Sequence, residues 1–420
     1  MRWGWIALAV VAALVLWLVG CAATMLPAVR LDPSLGPSAP PALLGPLGAD
    51  PAIATREDWE QRRAPLLRAA FAEQVYGPFP RNAAPARVLS RDAIQYRRLA
   101  ASATIEQWSV GVGDADTPLH FNMMVVLPRD ARGPVPVIVM QNFCGNRAAF
   151  RDAPDQIAGP LTPVMSACES DWMAPLVEIP LGRHISVPPY ADILARGYGL
   201  AMFYAGDVVG DEAESARFGL ERIYGADAPR AGAIATWAWL YTQAYDVLAA
   251  DARVDARRVA IWGHSRNGKA ALYAAAMDPR IAAVIAHQSG RGGASLSRSA
   301  EGETIAQMIA NYPWWFPPAF AAAPRDPALD QHQLLALIAP RPVFLGNAQR
   351  DAWSDPHGAW QAARAASPAW TLYGVTGLDQ GDMRTPNTTA RLQYFTRPGL
   401  HGITSADWRA FLDFLDAQMR

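Results

Sequence analysis

Val259-Ala260-Ile261-Trp262-Gly263-His264-Ser265-Arg266-Asn267-Gly268-Lys269-Ala270-Ala271-Leu272 begins as a short apolar run, turns at Gly263 and continues as an alanine-rich stretch with helical character. A strand, a tight turn carrying a serine, then a helix is the layout of a nucleophile elbow. A serine hydroxyl is a poor nucleophile unless it is held in the open, beside a base and amide donors. The turn projects the hydroxyl, and the helix N-terminus behind it offers N–H groups and a dipole that favours a developing oxyanion. The stretch departs from Gly-x-Ser-x-Gly at one point: the second glycine, Gly268, comes one residue late. The strand before and the helix after supply the context that a bare Gly-x-Ser triplet lacks.

Outward from the elbow, strands alternate with helices. Val135 to Met140 and Ile281 to Ala286 are continuous apolar runs, suited to strands buried on both faces. Gly197 to Ala205, Pro342 to Leu345 and Trp370 to Val375 read as further strands, the last of these closing the sheet. Ala231 to Ala250 sets Trp237, Leu240, Tyr241, Ala244 and Leu248 at the spacing of one helix face. Glu57 to Tyr76 is also helical in period and stops at Gly77-Pro78, and Ser405 to Met419 is the closing helix with Ser405 as its N-cap. Ala100 to Pro128 alternates and suggests an antiparallel pair. The order predicts an α/β-hydrolase fold, a mostly parallel doubly wound sheet flanked by helices. Gln141 to Asn146 falls where that fold builds the second half of its oxyanion hole. Asp152 to Pro189 is long, proline-rich and without period, as a functional loop or insertion is.

The chain has 420 residues, of which 51% are hydrophobic and 18% charged, so a sizeable core is possible. A net charge of −1 gives no basic footprint and argues against nucleic acid as a partner. Fifteen tryptophans lean towards carbohydrate, since such rings stack on sugars as well as filling cores. No metal-ligand cluster, phosphate loop or cofactor fingerprint is present in the sequence, so no metal or cofactor is expected.

Arg2 precedes an apolar run from Trp3 to Val19, and Leu18-Val19-Gly20-Cys21 ends it. The run reads as an export signal. Its last four residues resemble a bacterial lipobox, with Cys21 as the lipid-bearing residue; the competing reading is an uncleaved membrane anchor. Residues 1–21 are thus expected as a lipoprotein signal, 22–55 as a Pro/Ala-rich tether and 56–420 as a single catalytic domain. An exported, membrane-anchored monomer facing the periplasm or cell exterior is expected, touching the membrane through its lipid. Cys144 and Cys168 are either a disulfide or two free thiols.

A serine hydrolase of this fold needs an acid and a histidine after the serine in the chain. His401 lies in a glycine-containing loop between the last strand and the last helix, where the fold delivers its base. His357 is a weaker rival; His264 and His287 sit at strand ends and read as structural histidines. Asp351, a few residues past the strand at Pro342 to Leu345, is placed for the acid. Asp355 is the alternative, with a turn role as its plainer explanation because Asp-Pro commonly makes a turn.

From about Arg63 onward the sequence resembles the glucuronoyl esterases, carbohydrate esterase family 15. The resemblance is carried by Val75-Tyr76-Gly77, Gly145-Asn146, Gly263 to Lys269, Ser289-Gly290-Arg291-Gly292-Gly293-Ala294, Gly302-Glu303-Thr304, Leu334 to Pro342, Asp351 to Pro356 and His401. It implies Ser265 as nucleophile, His401 as base and Arg266 as a charged donor to the oxyanion. It implies that Lys269, Glu303 and Trp353 hold the hydroxyls and ring of a glucuronate; without it, Lys269 would read as a solvated helix residue. Many members carry a glutamate where this chain has Gln288, which throws the acid role onto Asp351. The expected activity is hydrolysis of (4-O-methyl-)glucuronate esters, as in lignin–xylan linkages. The rivals are an acetyl-xylan-type esterase on the same fold and a catalytically weak carbohydrate-binding lipoprotein. Arg266 and Lys269 discriminate against the first, because an acetyl pocket has no use for cations.

Overall fold

Apolar side chains fill both faces of the central strands, and helices cover both. The computed structural model describes residues 28–420 except 38, 81–83, 114–118, 151–152, 160–180 and 323–326, together with positions 5 and 12. Among the described residues there are nine strands: β1 Ala84–Ala93, β2 Ala103–Gly113, β3 Leu119–Pro128, β4 Val135–Gln141, β5 Gly199–Phe203, β6 Val254–His264, β7 Ala283–His287, β8 Val343–Ala348 and β9 Leu392–Arg397. They form one mixed sheet in the order β1-β2-β3-β5-β4-β6-β7-β8-β9. Strands β5, β4, β6, β7, β8 and β9 run parallel. The β1–β2, β2–β3 and β3–β5 pairs are antiparallel.

Side chains alternate across the sheet as strand geometry requires. Val137, Val139, Val259, Ile261 and Val284 enter one core, with the helices Ala233–Ala249 and Arg266–Met277 packed over it. Ile138, Met140, Ala260, Trp262 and Ile285 enter the other, covered by the closing helix through Phe411, Leu412, Phe414 and Leu415. Trp262 stacks on Trp408 of that helix at 5.5 Å between ring centroids.

Several local expectations change. Trp370 to Val375 is not a strand: Pro368 opens a short helix, Pro368–Thr371, and the Trp370 indole donates to the Arg341 carbonyl. The last strand is β9, which the sequence reading passed over together with β1. The closing helix is capped by Thr404 rather than Ser405, in a capping box with Asp407.

The stretch expected as a tether packs on the domain from residue 28. Leu43 and Ile53 are buried in the core. Among the described residues, the buried Arg63 guanidinium takes its partners from this stretch: Asp50 at 2.6 Å and the carbonyls of Leu43, Gly45 and Pro51. A buried cation must be paired and fully hydrogen-bonded, and this one is satisfied only when 43–51 wraps it. Further upstream, the Val29 amide donates to Gln349 O at 2.6 Å, and His357 Nε2 lies 2.8 Å from Arg30 O. The Cys21 lipobox and Cys168 lie outside the described residues.

Candidate active site

Strand β6 ends at His264, and Ser265 follows with φ 54° and ψ −126°, left-handed and strained for a residue with a side chain. The turn is tight enough that a Cβ on Gly263 would lie 2.1 Å from Asn267 O. A Cβ on Gly268 would sit 3.0 Å from both Gly263 O and Ser289 Cβ, so the late glycine still lets the helix close on the strand. The helix Arg266–Met277 starts directly at Ser265. The Ser265 amide is held by His287 O at 2.8 Å.

The sheet register brings the remaining parts in from neighbouring strand ends. His401, on the loop after β9, has Nδ1 2.7 Å from Asp351 Oδ2, and Asp351 follows β8. Gln288, at the end of β7 with φ 48°, donates its amide to the same oxygen at 3.0 Å and accepts the Gly402 N–H at 2.9 Å. Ser354 Oγ donates to Asp351 Oδ2 as well. Burial alone would push the Asp351 carboxyl up; the facing His401 and the Ser354 hydrogen bonds outweigh it and hold the carboxyl below its ordinary range. Asp355 stands apart from His401. It caps the helix Pro356–Ala366 through the Gly358 N–H and accepts from Ser295 Oγ.

Beneath His401 lies a layer of groups of which the sequence marked only His264 and His287, as structural. β6 and β7 pair His264 with His287 in register, and their Nδ1 atoms are 3.0 Å apart. The His264 ring packs against His401 at 4.6 Å between centroids. Asp407 Oδ1 is 3.2 Å from His287 Nε2, and its other oxygen is 2.5 Å from Arg397 Nε. Arg397 also binds the carbonyls of Leu400 and Gly402, on either side of His401. Behind that loop, residues from the long proline-rich segment run alongside it: Ile403 N donates to Leu181 O at 2.7 Å. A Cβ on Gly402 would meet Leu181 O at 2.2 Å.

Arg266 has Nε 2.6 Å from Asp211 Oδ2, and its guanidinium lies 5.0 Å from the Phe143 ring and 5.6 Å from Trp315. Phe143 belongs to the loop after β4, as expected for the second half of an oxyanion hole, and its neighbour Cys144 is disulfide-bonded. Lys269 is buried, not solvated: Nζ donates to Ser289 O at 2.8 Å and Arg291 O at 2.6 Å. Burial lowers its pKa to about 8, against the opposing pull of Glu303. Glu303 is itself buried, and burial raises its carboxyl above the usual range. Its amide donates to Trp353 O at 3.0 Å, while the Trp353 ring is 49% exposed and open to a ligand face. Gly302 makes that contact possible: at φ 77°, a Cβ would lie 2.8 Å from Trp353 O. Tyr76 reaches the same pocket loop, donating to Gly292 O at 3.0 Å.

The sequence reading missed Asp211 and the His287–Asp407–Arg397 layer. Asp211 lies beyond β5, on the edge where the sheet gathers its ligands, but nothing in the sequence pointed to its partners. Asp407 carried no signal, because an acid in the first turn of a helix reads as a capping residue, which it also is. Among the described residues no group of His, Cys, Asp or Glu is placed to hold a metal ion.

A family model for glucuronyl esterase of fungi matches residues 185–374. Carbohydrate esterase MZ0003, from an unknown prokaryotic organism, is 30% identical over 388 residues, 87% of this chain and 87% of that protein. The solved glucuronoyl esterase from Solibacter usitatus is 30% identical with a TM-score of 0.77, covering 93% of this chain and 100% of its own. The 4-O-methyl-glucuronoyl methylesterase of Hypocrea jecorina is 33% identical over 166 residues, 37% of this chain and 36% of that enzyme. The protein is a carboxylic ester hydrolase of the α/β-hydrolase fold. It belongs to carbohydrate esterase family 15, the glucuronoyl esterases.

Proposed function

We propose that the protein hydrolyses esters of 4-O-methyl-glucuronic acid, as found on glucuronoxylan, with Ser265, His401 and Asp351 as its triad. Ser265 Oγ attacks the ester carbonyl as His401 takes its proton, and Asp351 holds the imidazole in the right tautomer and stabilises the imidazolium. The Arg266 guanidinium receives the negative charge that grows on the carbonyl oxygen. His401 returns the proton to the departing alcohol, and water then releases the glucuronate from Ser265 by the same steps in reverse.

The observation that carries the substrate reading is Lys269. It lies one turn along the helix from Ser265, buried near Glu303, and two of its three N–H groups are bound to carbonyls. The third remains to donate a charge-assisted hydrogen bond to a sugar oxygen, with Glu303 as acceptor and the Trp353 ring beside it. An acetyl group offers nothing for this set to bind. Purified protein assayed on benzyl glucuronate and on acetylated xylan tests the reading. Turnover of the glucuronate ester, lost in Ser265→Ala, is expected; preference for the acetylated xylan would overturn it. Export with a lipid on Cys21 is proposed alongside, supported by the apolar run from Trp3 to Val19 and the small residues around Cys21.

A further inference from the structure

The oxyanion side of the site contains a carboxylate that no role has yet claimed. The Asp211 side chain is largely covered, with one oxygen 2.6 Å from Arg266 Nε. Its other oxygen accepts two indole N–H groups, from Trp314 at 3.0 Å and Trp315 at 2.7 Å. Trp315 also lies over the guanidinium of Arg266, and Tyr312 stacks on Trp315 at 3.9 Å with the rings 6° from parallel. Arg266 is therefore gripped at Nε and faced by Phe143 and Trp315. Among the described residues, its Nη1 and Nη2 groups carry no hydrogen bond. Both Asp211 oxygens are thus engaged by protein groups, Oδ2 by Arg266 and Oδ1 by the two indoles.

We infer that Asp211 is a positioning residue for the oxyanion donor: it fixes the guanidinium so that both Nη groups are presented to the reacting carbonyl. Two effects oppose each other here. A carboxylate at 2.6 Å offsets part of the positive charge that the oxyanion would feel, which weakens stabilisation. Against this, a long arginine left free must be ordered in every turnover, and a misplacement of about 1 Å can cost roughly a hundredfold in rate. Preorganisation wins where the donor works in a site it does not have to rearrange. The indole pair explains the choice of acid: an asparagine would have to turn its NH₂ towards either the indoles or the arginine, donor against donor.

The inference rests on Arg266 acting at the oxyanion, and a double-mutant cycle separates the two claims. Asp211→Asn should lower kcat on benzyl glucuronate about tenfold or more, with KM changed less than about twofold. Arg266→Ala should lower kcat about a hundredfold, and adding Asp211→Asn to it should cost nothing further. An equal loss in both backgrounds, a loss confined to KM, or no loss would overturn the positioning role. If Arg266→Ala itself alters only KM, the oxyanion reading fails instead. Should Asp211→Asn not fold, Trp314→Phe removes one indole donor and keeps a ring. It should slow kcat a few fold with Arg266 present and not without it, and a loss independent of Arg266 would again overturn the inference.

Discussion

Asp351 Oδ2 collects donors from His401, Gln288 and Ser354, and this crowding decides what each neighbour can be replaced by. Asp351→Asn should cost as much as roughly 10⁴-fold in kcat, because an amide favours the wrong His401 tautomer. Asp355→Asn keeps an acceptor for the Gly358 N–H and should leave kcat nearly unchanged. Comparable losses in the two variants would remove Asp351 from the triad. Gln288→Glu replaces a donor with an acceptor 3.0 Å from a carboxylate, so one of the two acids must take up a proton. Alone it should slow the enzyme a few fold; in the Asp351→Asn background it should restore part of the lost rate by supplying a carboxylate. Lys269 carries a separate prediction. Its pKa is lowered to about 8 by burial, so the ammonium is present below that pH and lost as pH rises through it. KM for a glucuronate ester should therefore climb above about pH 8, by roughly tenfold if one charge-assisted hydrogen bond of about 1.5–3 kcal/mol goes. KM for a simple acetate ester should not follow, and parallel profiles would take Lys269 out of sugar binding.

The loop between β9 and the closing helix is held by one buried ion pair, Arg397 with Asp407, which also binds the helix cap and faces His287. Breaking a buried pair by removing one partner costs about 3–5 kcal/mol. Asp407→Ala should show that loss in denaturant unfolding, together with a lower kcat as the His401 loop loosens; unchanged stability would mean that the pair is not what holds the loop. Burial pushes Asp407 up, but His287 and Arg397 prevail and hold it near 2. A depressed carboxyl stabilises the fold above its ordinary value of 3.8 and stops doing so as pH falls towards 2. At this scale the sequence was legible where burial was two-sided and illegible where it was not. β4, β6 and β7 showed as apolar runs because both faces are covered. β1, an edge strand whose residues from Ser90 to Ala93 are exposed, carries no apolar period to read. Trp370 to Val375 looked like a strand because aromatic and branched residues suit one, yet Pro368 had already set a helical φ. The meeting of His401 with Asp351 was readable because chain order constrains where an acid and a histidine can follow Ser265. Asp211 and the two indoles were not, since their meeting depends on a tertiary contact between residues about a hundred positions apart.

Across the whole molecule, residues 28–55 behave as part of the domain. A chain shortened to begin at residue 28 keeps the contacts described for 28–55 and serves as the reference form. Beginning it at 56 strips from the buried Arg63 its partners among the described residues and uncovers the surface under Leu43 and Ile53. A loss of about 3–5 kcal/mol from the cation alone is expected; equal stability of the two forms would return the segment to the role of a loose leash. Cys21→Ser should abolish fatty-acid labelling without touching activity, and labelling that persists would rule out lipid at that residue. The sheet order has one more outcome, in time rather than in space. Ser265 and Arg266 follow β6, but the proposed base waits for the loop after β9, the last strand in chain order among the described residues. Parallel strands pair only through long-range closures, which form slowly. A growing or translocating chain would thus carry its proposed nucleophile unarmed from the emergence of Ser265 until that of His401.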